Sequence, residues 1–261
     1  TWGQPTAFGN NAVLLCHGSG GDRLRMGAYI GPGKPFDTNR FWVIGVDAIG
    51  SGGSSSPSST GLGRRFPKVT IRDMVRAQVR MMNELGIDAW HAVVGGSMGG
   101  MQVLEWAVMF PERVRRIVPI ATCAQSTAQQ IAWGAIGRRA IRVDPKWRGG
   151  DYYDAADGDG PWEGLAAARM VAQVTFRSDN VFTDRFGRDL ADEGQHRDGL
   201  DLWQRFEVER YLEYHGEKLC RRFDANSYIS IGKAMDLHDV GRSRGGLAAA
   251  MKRITMPTLT M

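Results

Sequence analysis

One serine surrounded by glycines is the feature that most limits what this chain can fold into. The run "WHAVVGGSMGGMQVLEWAVMF" contains Gly95-Gly96-Ser97-Met98-Gly99, which matches G-x-S-x-G. A strand pattern precedes it and a helix pattern follows, so the serine falls at a sharp strand-to-helix turn where neighbouring side chains would collide with adjoining elements. The pattern predicts a nucleophilic hydroxyl at Ser97, presented to a cleft at a helix N-terminus. A purely structural glycine-rich turn is the alternative.

The first half of the chain alternates strand and helix patterns. The apolar runs "NAVLLCHG", "RFWVIGVDAIG", "WHAVVGG" and "RRIVPIATC" are typical of buried strands. Between them, "TIRDMVRAQVRMMNELG" has helical apolar spacing, with a capping box of Thr70 and Asp73 at its start and Gly86 at its end. Buried strands separated by helices predict an α/β fold with a mostly parallel sheet and helices on both faces.

The pattern changes after the fourth strand. Residues 1–123 are expected to form the first part of the α/β core, and residues 124–250 a helical lid inserted over the sheet. Within the insertion, "GLAAARMVAQVTF", "LWQRFEVERYLEYHGEKLCRRF" and "ANSYISIGKAMDL" show helical spacing. Residues 251–261, which include "ITMPTLTM", return to a strand-like pattern, and we expect the core to be incomplete at that point.

Acyl transfer at a serine also needs hydrogen-bond donors for the oxyanion. The backbone N–H of Met98, directly after the serine, is the first candidate. The second is expected at Ser19, in the loop "CHGSGG" that follows an earlier strand. His17 in the same loop is interpreted as a support for the loop rather than a proton-transfer group.

Composition excludes several function classes. The formal net charge is +5, but the arginines are scattered and no nucleic-acid-binding motif accompanies them. Nucleic acid is therefore not an expected partner. No apolar stretch is long enough for a membrane span, so a membrane is not an expected partner either. Three cysteines without CxxC spacing indicate no disulfide framework and no zinc site, and favour the reducing cytoplasm. No metal and no bound cofactor is implied.

Several segments together carry a family resemblance. "VVGGSMGGMQVLEWA", "FPKVTIRDMVRAQ", "IGPGKPFDTNRFWVI", "RFDANSYISIGKAMDLHD" and "FRSDNVF" resemble the homoserine O-acetyltransferase family, whose members have the α/β-hydrolase fold. The resemblance implies an enzyme of methionine biosynthesis that uses ping-pong chemistry. An acetyl group would move from acetyl-CoA, a substrate, to Ser97 and then to the hydroxyl of homoserine. It also implies a homodimer through the lid helices, and packing of "LWQRFEVERYLEYHG" on the chain's own sheet is the alternative.

The resemblance assigns further site residues and shows departures. Arg169 matches the arginine that binds the substrate carboxylate in the family, and a surface helix arginine is the alternative. Phe176 stands where the family usually has a tyrosine, and Asp47 where it usually has asparagine. The "HGSGG" loop is more typical of general hydrolases. These differences favour, as an alternative, an ester hydrolase with the same acyl-enzyme.

The catalytic acid and histidine of this fold follow the nucleophile in sequence. We expect both after the strand "TMPTLTM", beyond Met261, and interpret the chain as truncated there. The histidines within the chain after Ser97 are His196, His215 and His238, of which His238 beside Asp236 and Asp239 is the best candidate base. Without a base Ser97 would lose most of its nucleophilicity, so an inactive fragment or a binding module is the third alternative.

Overall fold

The computed structural model describes residues 1–156, 158–191 and 204–261. Four strands form its sheet: β1 (Ala12–Cys16), β2 (Trp42–Val46), β3 (Ala92–Gly96) and β4 (Ile117–Ile120). Their order is β2-β1-β3-β4 and every pairing is parallel, with Leu14 opposite both Ile44 and Val93. The predicted parallel sheet of an α/β fold is therefore confirmed.

The sheet is apolar on both faces because helices or loops cover each side. All five residues of β1 are buried, and alternate residues belong to different clusters. Leu14 and Cys16 pack with Val75, Trp90 and Trp106, whereas Val13 and Leu15 pack with Val43 and Val94 on the other face. A strand buried on two faces reads as a continuous apolar run, which is why these runs could be found in the sequence.

Helix α1 (Ile71–Glu84) begins and ends where its sequence predicts. The Thr70 side chain accepts a hydrogen bond from the backbone N–H of Asp73, and the Asp73 carboxylate accepts one from the backbone N–H of Thr70. Gly86 follows the helix with a φ of 66°, a conformation that glycine adopts without strain. The helix buries Ile71, Met74, Val75 and Met82 on one face. Helix α2 (Met98–Met109) follows β3, is almost entirely buried and ends before Pro111.

The C-terminal segment lies beside β4. The backbone N–H of Ile117 donates to Pro257, and the N–H of Leu259 donates back to Ile117. The N–H of Met261 likewise donates to Pro119, and a parallel bridge joins Ile117 to Thr258. These bonds follow a parallel pairing, so the strand-like segment "ITMPTLTM" extends the sheet at its β4 edge.

The chain divides into two compact units: residues 1–128 with 227–261, and residues 129–226. The second unit is thus shorter than the expected insertion 124–250. Residues 227–250 belong to the first unit because their side chains pack against its helices and their backbone carbonyl groups accept hydrogen bonds from it. Val240 packs against Leu104 and Val108, and the Arg72 guanidinium donates to the carbonyl oxygens of Asp239 and Arg242.

A short paired stem joins the segments on either side of the second unit. The backbone N–H of Val240 donates to Ala124, and the N–H of Ser126 donates to His238. An antiparallel bridge joins Gln125 to Asp239, and the Gln125 amide donates to the Asp239 carboxylate over 2.9 Å. Residues 124–126 and 238–240 are therefore hydrogen-bonded to each other within the first unit.

A buried carboxylate fixes the stem to the helices of the first unit. Glu105 on α2 is 1% exposed. Its Oε1 lies 3.0 Å from Nε of Arg72 on α1, and its Oε2 lies 2.8 Å from a guanidinium nitrogen of Arg244. Arg244 also donates to the carbonyl oxygen of Val240. Two arginines that are far apart in sequence thus neutralise one buried charge.

The second unit contains α3 (Ala128–Val143), α4 (Trp162–Thr175), α5 (Asp179–Phe186) and α6 (Glu207–Cys220), and α7 (Ala225–Asp236) begins at its end. Small residues let α3, α4 and α6 pack closely. A Cβ atom at Gly164 of α4 would lie 2.6 Å from the carbonyl oxygen of Ala140 on α3. One at Gly216 of α6 would lie 3.0 Å from Cβ of Ala166 on α4. A short helix α8 (Leu247–Met251) belongs to the first unit.

In the described ranges, no helix is at once long enough and apolar enough to span a bilayer. All three cysteines are free thiols. Burial raises the pKa of Cys16 to about 12 and that of Cys220 to about 11, so both thiols stay protonated at neutral pH. Neither is activated as a nucleophile.

Candidate active site

Ser97 occupies a strained turn between β3 and α2. Its backbone has φ 56° and ψ −121°, a conformation that residues with a side chain rarely adopt. Ser97 is exposed, whereas Val94, Gly95 and Met98 around it are buried. The strand–turn–helix geometry therefore holds a hydroxyl-bearing residue at the surface of the first unit, at the positive end of the α2 dipole.

The glycines around Ser97 are required by close approach. A Cβ atom at Gly95 would lie 2.6 Å from the backbone of Gly99 and 2.8 Å from the carbonyl oxygen of Cys16. One at Gly99 would collide with the Cys16 carbonyl group, and one at Gly100 would lie 2.6 Å from Cβ of Thr122. The start of α2 can thus reach the ends of β1 and β4 only without these side chains.

Three hydrogen bonds hold the turn in place. The Ser97 N–H donates to the carbonyl oxygen of Ile120 over 2.9 Å. The Ser97 carbonyl oxygen accepts from the Met101 N–H over 3.1 Å and from the Thr122 hydroxyl over 2.9 Å. Thr122 was not found by sequence reasoning, because nothing but its place after a strand distinguishes it from other threonines.

Two backbone donors are available near the serine. The Met98 N–H is in the first turn of α2 and donates no hydrogen bond within the described chain. The loop after β1 lies beside the turn, since a Cβ atom at Gly18 would be 3.7 Å from Cβ of Ser97. Ser19 is the next residue, and its N–H likewise donates to no other described residue. The two candidate oxyanion donors thus lie directly after Ser97, at the start of α2, and in the adjoining loop after β1.

His17 supports the loop after β1, as its sequence position suggested. Its Nε2 accepts from the Ala48 N–H over 2.9 Å, and its Nδ1 lies 2.8 Å from the carbonyl oxygen of Gly18. The first contact requires an acceptor and the second a donor, so the ring is neutral with its proton on Nδ1. Both ring nitrogens are engaged and the residue is 4% exposed, so it is not available to take a proton from Ser97.

Asp47 connects the loops that follow β1 and β2. One carboxylate oxygen accepts from the backbone N–H of Arg23 over 2.7 Å, and the other forms an ion pair with the Arg23 guanidinium. The Asp47 side chain is buried and that of Arg23 is half exposed. The expected substrate-binding carboxylate is therefore occupied by a partner, Arg23, that sequence reasoning did not identify.

None of the described histidines hydrogen-bonds the Ser97 hydroxyl. His238 is 3% exposed; its Nε2 lies 3.1 Å from the Cys123 carbonyl oxygen, and its Nδ1 is enclosed without a partner in the described chain. Burial lowers the pKa of His238, against the opposing effect of the Glu105 and Asp239 carboxylates. His196 lies outside the described residues. His215 belongs to the second unit, on α6.

Arg169 and Phe176 are neighbours in the second unit. The guanidinium carbon of Arg169 on α4 lies 5.3 Å from the centre of the Phe176 ring, just after the helix. Phe176 is 57% exposed. Arg169 is also one of the cations, with Lys218, Arg177 and Arg185, that add to burial in lowering the pKa of His215. Arg169 is therefore one of four cations that lie near His215.

Metal ligands are not grouped in the described ranges: no three histidine, cysteine, aspartate or glutamate side chains form a cluster that could hold an ion.

The fold and the serine turn define a protein of the α/β-hydrolase class, and the family model for the alpha/beta hydrolase fold matches residues 11–251. Homoserine O-acetyltransferase from Thermobifida fusca (strain YX) is 46% identical over an alignment 280 residues long. The alignment covers 99% of this chain and 72% of the relative. Homoserine O-succinyltransferase from Pseudomonas entomophila (strain L48) is 41% identical over an alignment 276 residues long, which covers 98% of this chain and 72% of the relative. This chain belongs to the homoserine O-acetyltransferase family of O-acyltransferases.

Solved structures of an acyltransferase and of an esterase resemble the chain to nearly the same degree. Homoserine O-acetyltransferase from Bacillus anthracis has a TM-score of 0.86 at 25% identity, covering 99% of this chain and 75% of the other. Esterase E22 has a TM-score of 0.85 at 27% identity, covering 99% of this chain and 76% of the esterase. The fold therefore accommodates both transfer and hydrolysis of acyl groups.

Proposed function

We propose that this protein transfers an acyl group from acyl-CoA to the hydroxyl of homoserine through an acyl-enzyme on Ser97. The observation that carries the proposal is the exposed serine held at positive φ, beside backbone N–H groups with no partner in the described chain. Membership of the family supplies the substrate class.

The first half-reaction acylates the serine. The Ser97 oxygen attacks the thioester carbonyl carbon as a base takes its proton, and the carbonyl oxygen becomes an oxyanion that accepts hydrogen bonds from the N–H groups of Met98 and Ser19. The C–S bond then breaks, CoA leaves as a thiol after taking a proton, and the acyl group stays on Ser97 as an ester. The base and its acid stay predictions from the sequence, which places them after the last strand.

The second half-reaction returns the enzyme to its starting state. The homoserine hydroxyl attacks the acyl-enzyme carbonyl, the bond to Ser97 breaks, and the serine oxygen regains a proton. We propose that Arg169 binds the homoserine carboxylate, because its guanidinium can form two parallel hydrogen bonds to it. Asp47 is proposed to act on the site only by fixing the loops, and Phe176 by covering Arg169.

Acetyl-CoA is the proposed donor, because the acetyltransferase from Thermobifida fusca is more similar to the chain than the succinyltransferase. The test incubates the protein with acetyl-CoA or succinyl-CoA and measures intact mass. We expect a mass increase of one acetyl group, which disappears on adding homoserine and is absent in Ser97→Ala. Labelling of Ser97→Ala to the same extent would overturn the proposal.

Ester hydrolysis is the second candidate function, supported by the similarity to esterase E22. The two candidates differ in what removes the acyl group from Ser97: homoserine or water. Product analysis separates them. Transfer gives O-acylhomoserine and CoA release that depends on homoserine, whereas hydrolysis gives the free acid at the same rate without it.

Two expectations about context also stay predictions. The free thiols of Cys16, Cys123 and Cys220 are compatible with a reducing compartment, and we propose the cytoplasm. A homodimer through helices of the second unit is proposed from the family. Sedimentation at several protein concentrations tests the second expectation.

A further inference from the structure

An open cavity of about 430 Å³ lies at the opposite edge of the sheet from Ser97. Arg40 precedes β2, His91 precedes β3, and Arg115 and Arg116 precede β4, and all four side chains line the cavity. In a parallel sheet the residues before each strand meet at the amino edge, so the topology brings together positions that are far apart in sequence. The volume suits a small molecule rather than a macromolecule.

The cavity collects positive charge without compensation from the protein. No carboxylate lines it, and no ion pair joins Arg40, Arg115 or Arg116 to an acid in the part of the chain that the structure describes. All three arginines are exposed, so their guanidinium groups are open to a ligand. Convergent like charges repel one another unless an anion lies between them.

The surroundings of His91 show the same field. Its Nε2 lies 3.5 Å from a guanidinium nitrogen of Arg116, its Nδ1 lies 3.2 Å from the carbonyl oxygen of Asn10, and its ring packs 5.2 Å from that of Phe41. Burial lowers the pKa of His91, and the charges of Arg116, Arg115 and Arg40 lower it further against the Asn10 carbonyl. The imidazole is therefore neutral at pH 7. A bound anion would favour the protonated ring, in which Nε2 as well as Nδ1 is a hydrogen-bond donor.

We propose that this cavity binds a small anion of the phosphate class that carries at least two negative charges. Arginines from the segments before β2 and β4 line it, so it offers several guanidinium donors. A tetrahedral phosphate has enough oxygens to accept from all of them, whereas one guanidinium fork already satisfies a planar carboxylate. The Thr6 and Asn10 side chains add polar groups to the wall.

This site is separate from the proposed acyl-transfer site. His91 and Ser97 lie at the two ends of β3, and an extended strand of that length spans roughly 20 Å. The ligand therefore does not reach the serine, and binding can be measured without any turnover. Failure of the acyl-transfer proposal would leave this one intact.

The test is isothermal titration of the protein with inorganic pyrophosphate at constant ionic strength. Arg115→Gln/Arg116→Gln is expected to weaken binding about tenfold or more, because charge-assisted hydrogen bonds are lost. The control is Arg139→Gln/Arg142→Gln, which removes the same charge from exposed positions on α3 and is expected to change affinity less than about twofold. Equal thermal stability of the two variants shows that both are folded.

A second readout locates the ligand. Bound pyrophosphate should raise the pKa of His91, followed through its ring proton resonances, since the anion offsets the three cations. The proposal is overturned if pyrophosphate does not bind, if both double variants bind it equally, or if citrate binds as tightly as pyrophosphate.

Discussion

Gly99, in the first turn of α2, lies directly against the carbonyl group of Cys16 at the end of β1. A Cβ atom at Gly99 would be 2.7 Å from the Cys16 carbonyl carbon and 3.0 Å from the carbonyl oxygen of His17. Both neighbours are backbone, which cannot rotate away as a side chain would. The position of Ser97 relative to the loop after β1 therefore depends on the absence of one methyl group.

Substitution of Gly99 by alanine should destabilise the protein despite the higher helix propensity of alanine. We expect Gly99→Ala to lower the free energy of unfolding by about 3 kcal/mol, because overpacking against backbone outweighs the propensity gain of about 1 kcal/mol. Gly96→Ala is the control, since its Cβ would meet nothing closer than 3.9 Å. Urea unfolding measures both. A Gly99→Ala protein as stable as Gly96→Ala would contradict the close approach.

The Glu105 ion pairs should be far more important for stability than ion pairs at the surface. Glu105→Gln leaves the guanidinium groups of Arg72 and Arg244, both mostly buried, without a counter-charge. We expect a loss of about 3 kcal/mol in the free energy of unfolding. Glu217→Gln, which removes an exposed partner of Arg221, should cost about 0.5 kcal/mol or less. Equal losses in the two variants would refute the assignment.

Stability should fall in mild acid because of His238. Burial lowers its pKa in the folded state below the ordinary value of 6.5, so the unfolded chain binds the proton more readily. The contribution of neutral His238 to the free energy of unfolding is complete above pH 6.5 and is lost as the pH falls through the folded-state pKa. His238→Gln keeps a donor for the Cys123 carbonyl but does not titrate. Urea midpoints at about pH 7.5 and about pH 5.5 should differ less in this variant than in the parent; identical differences would show that His238 is not responsible.

Arg169 should affect the acceptor and not the donor. Arg169→Lys keeps the charge but loses the paired hydrogen bonds to a carboxylate, so KM for homoserine should rise roughly tenfold. The rate at which acetyl-CoA acylates Ser97 should stay the same. Steady-state kinetics and quenched intact-mass measurements give the two values, with Arg142→Lys on α3 as the control. An unchanged KM would remove Arg169 from the site.

The sheet, α1 and the serine turn could be predicted because their signals are local. Apolar runs identify strands buried on two faces, and Thr70 with Asp73 marks a helix start within four residues. The glycines clustered around Ser97 likewise indicate positions where the backbone approaches neighbouring strands too closely for a side chain. Each of these features is encoded within about twenty residues, the range over which periodicity and capping act.

The remaining features depend on contacts between distant segments. Nothing in the sequence near Asp47 indicates that Arg23 binds it, and Glu105 gives no sign of Arg72 and Arg244. The extent of the second unit could not be derived for the same reason: the helical pattern of residues 227–250 does not say which unit they pack against. The cationic cavity appears only when the sheet brings the starts of its strands together.

The stem of Ala124 to Ser126 against His238 to Val240 has a consequence for the sequence that lies between its two halves. Because the two halves are hydrogen-bonded to each other, the two ends of residues 127–237 are held close together. All four strands of the sheet precede this stretch, so a change in its length would leave their pairings unaltered.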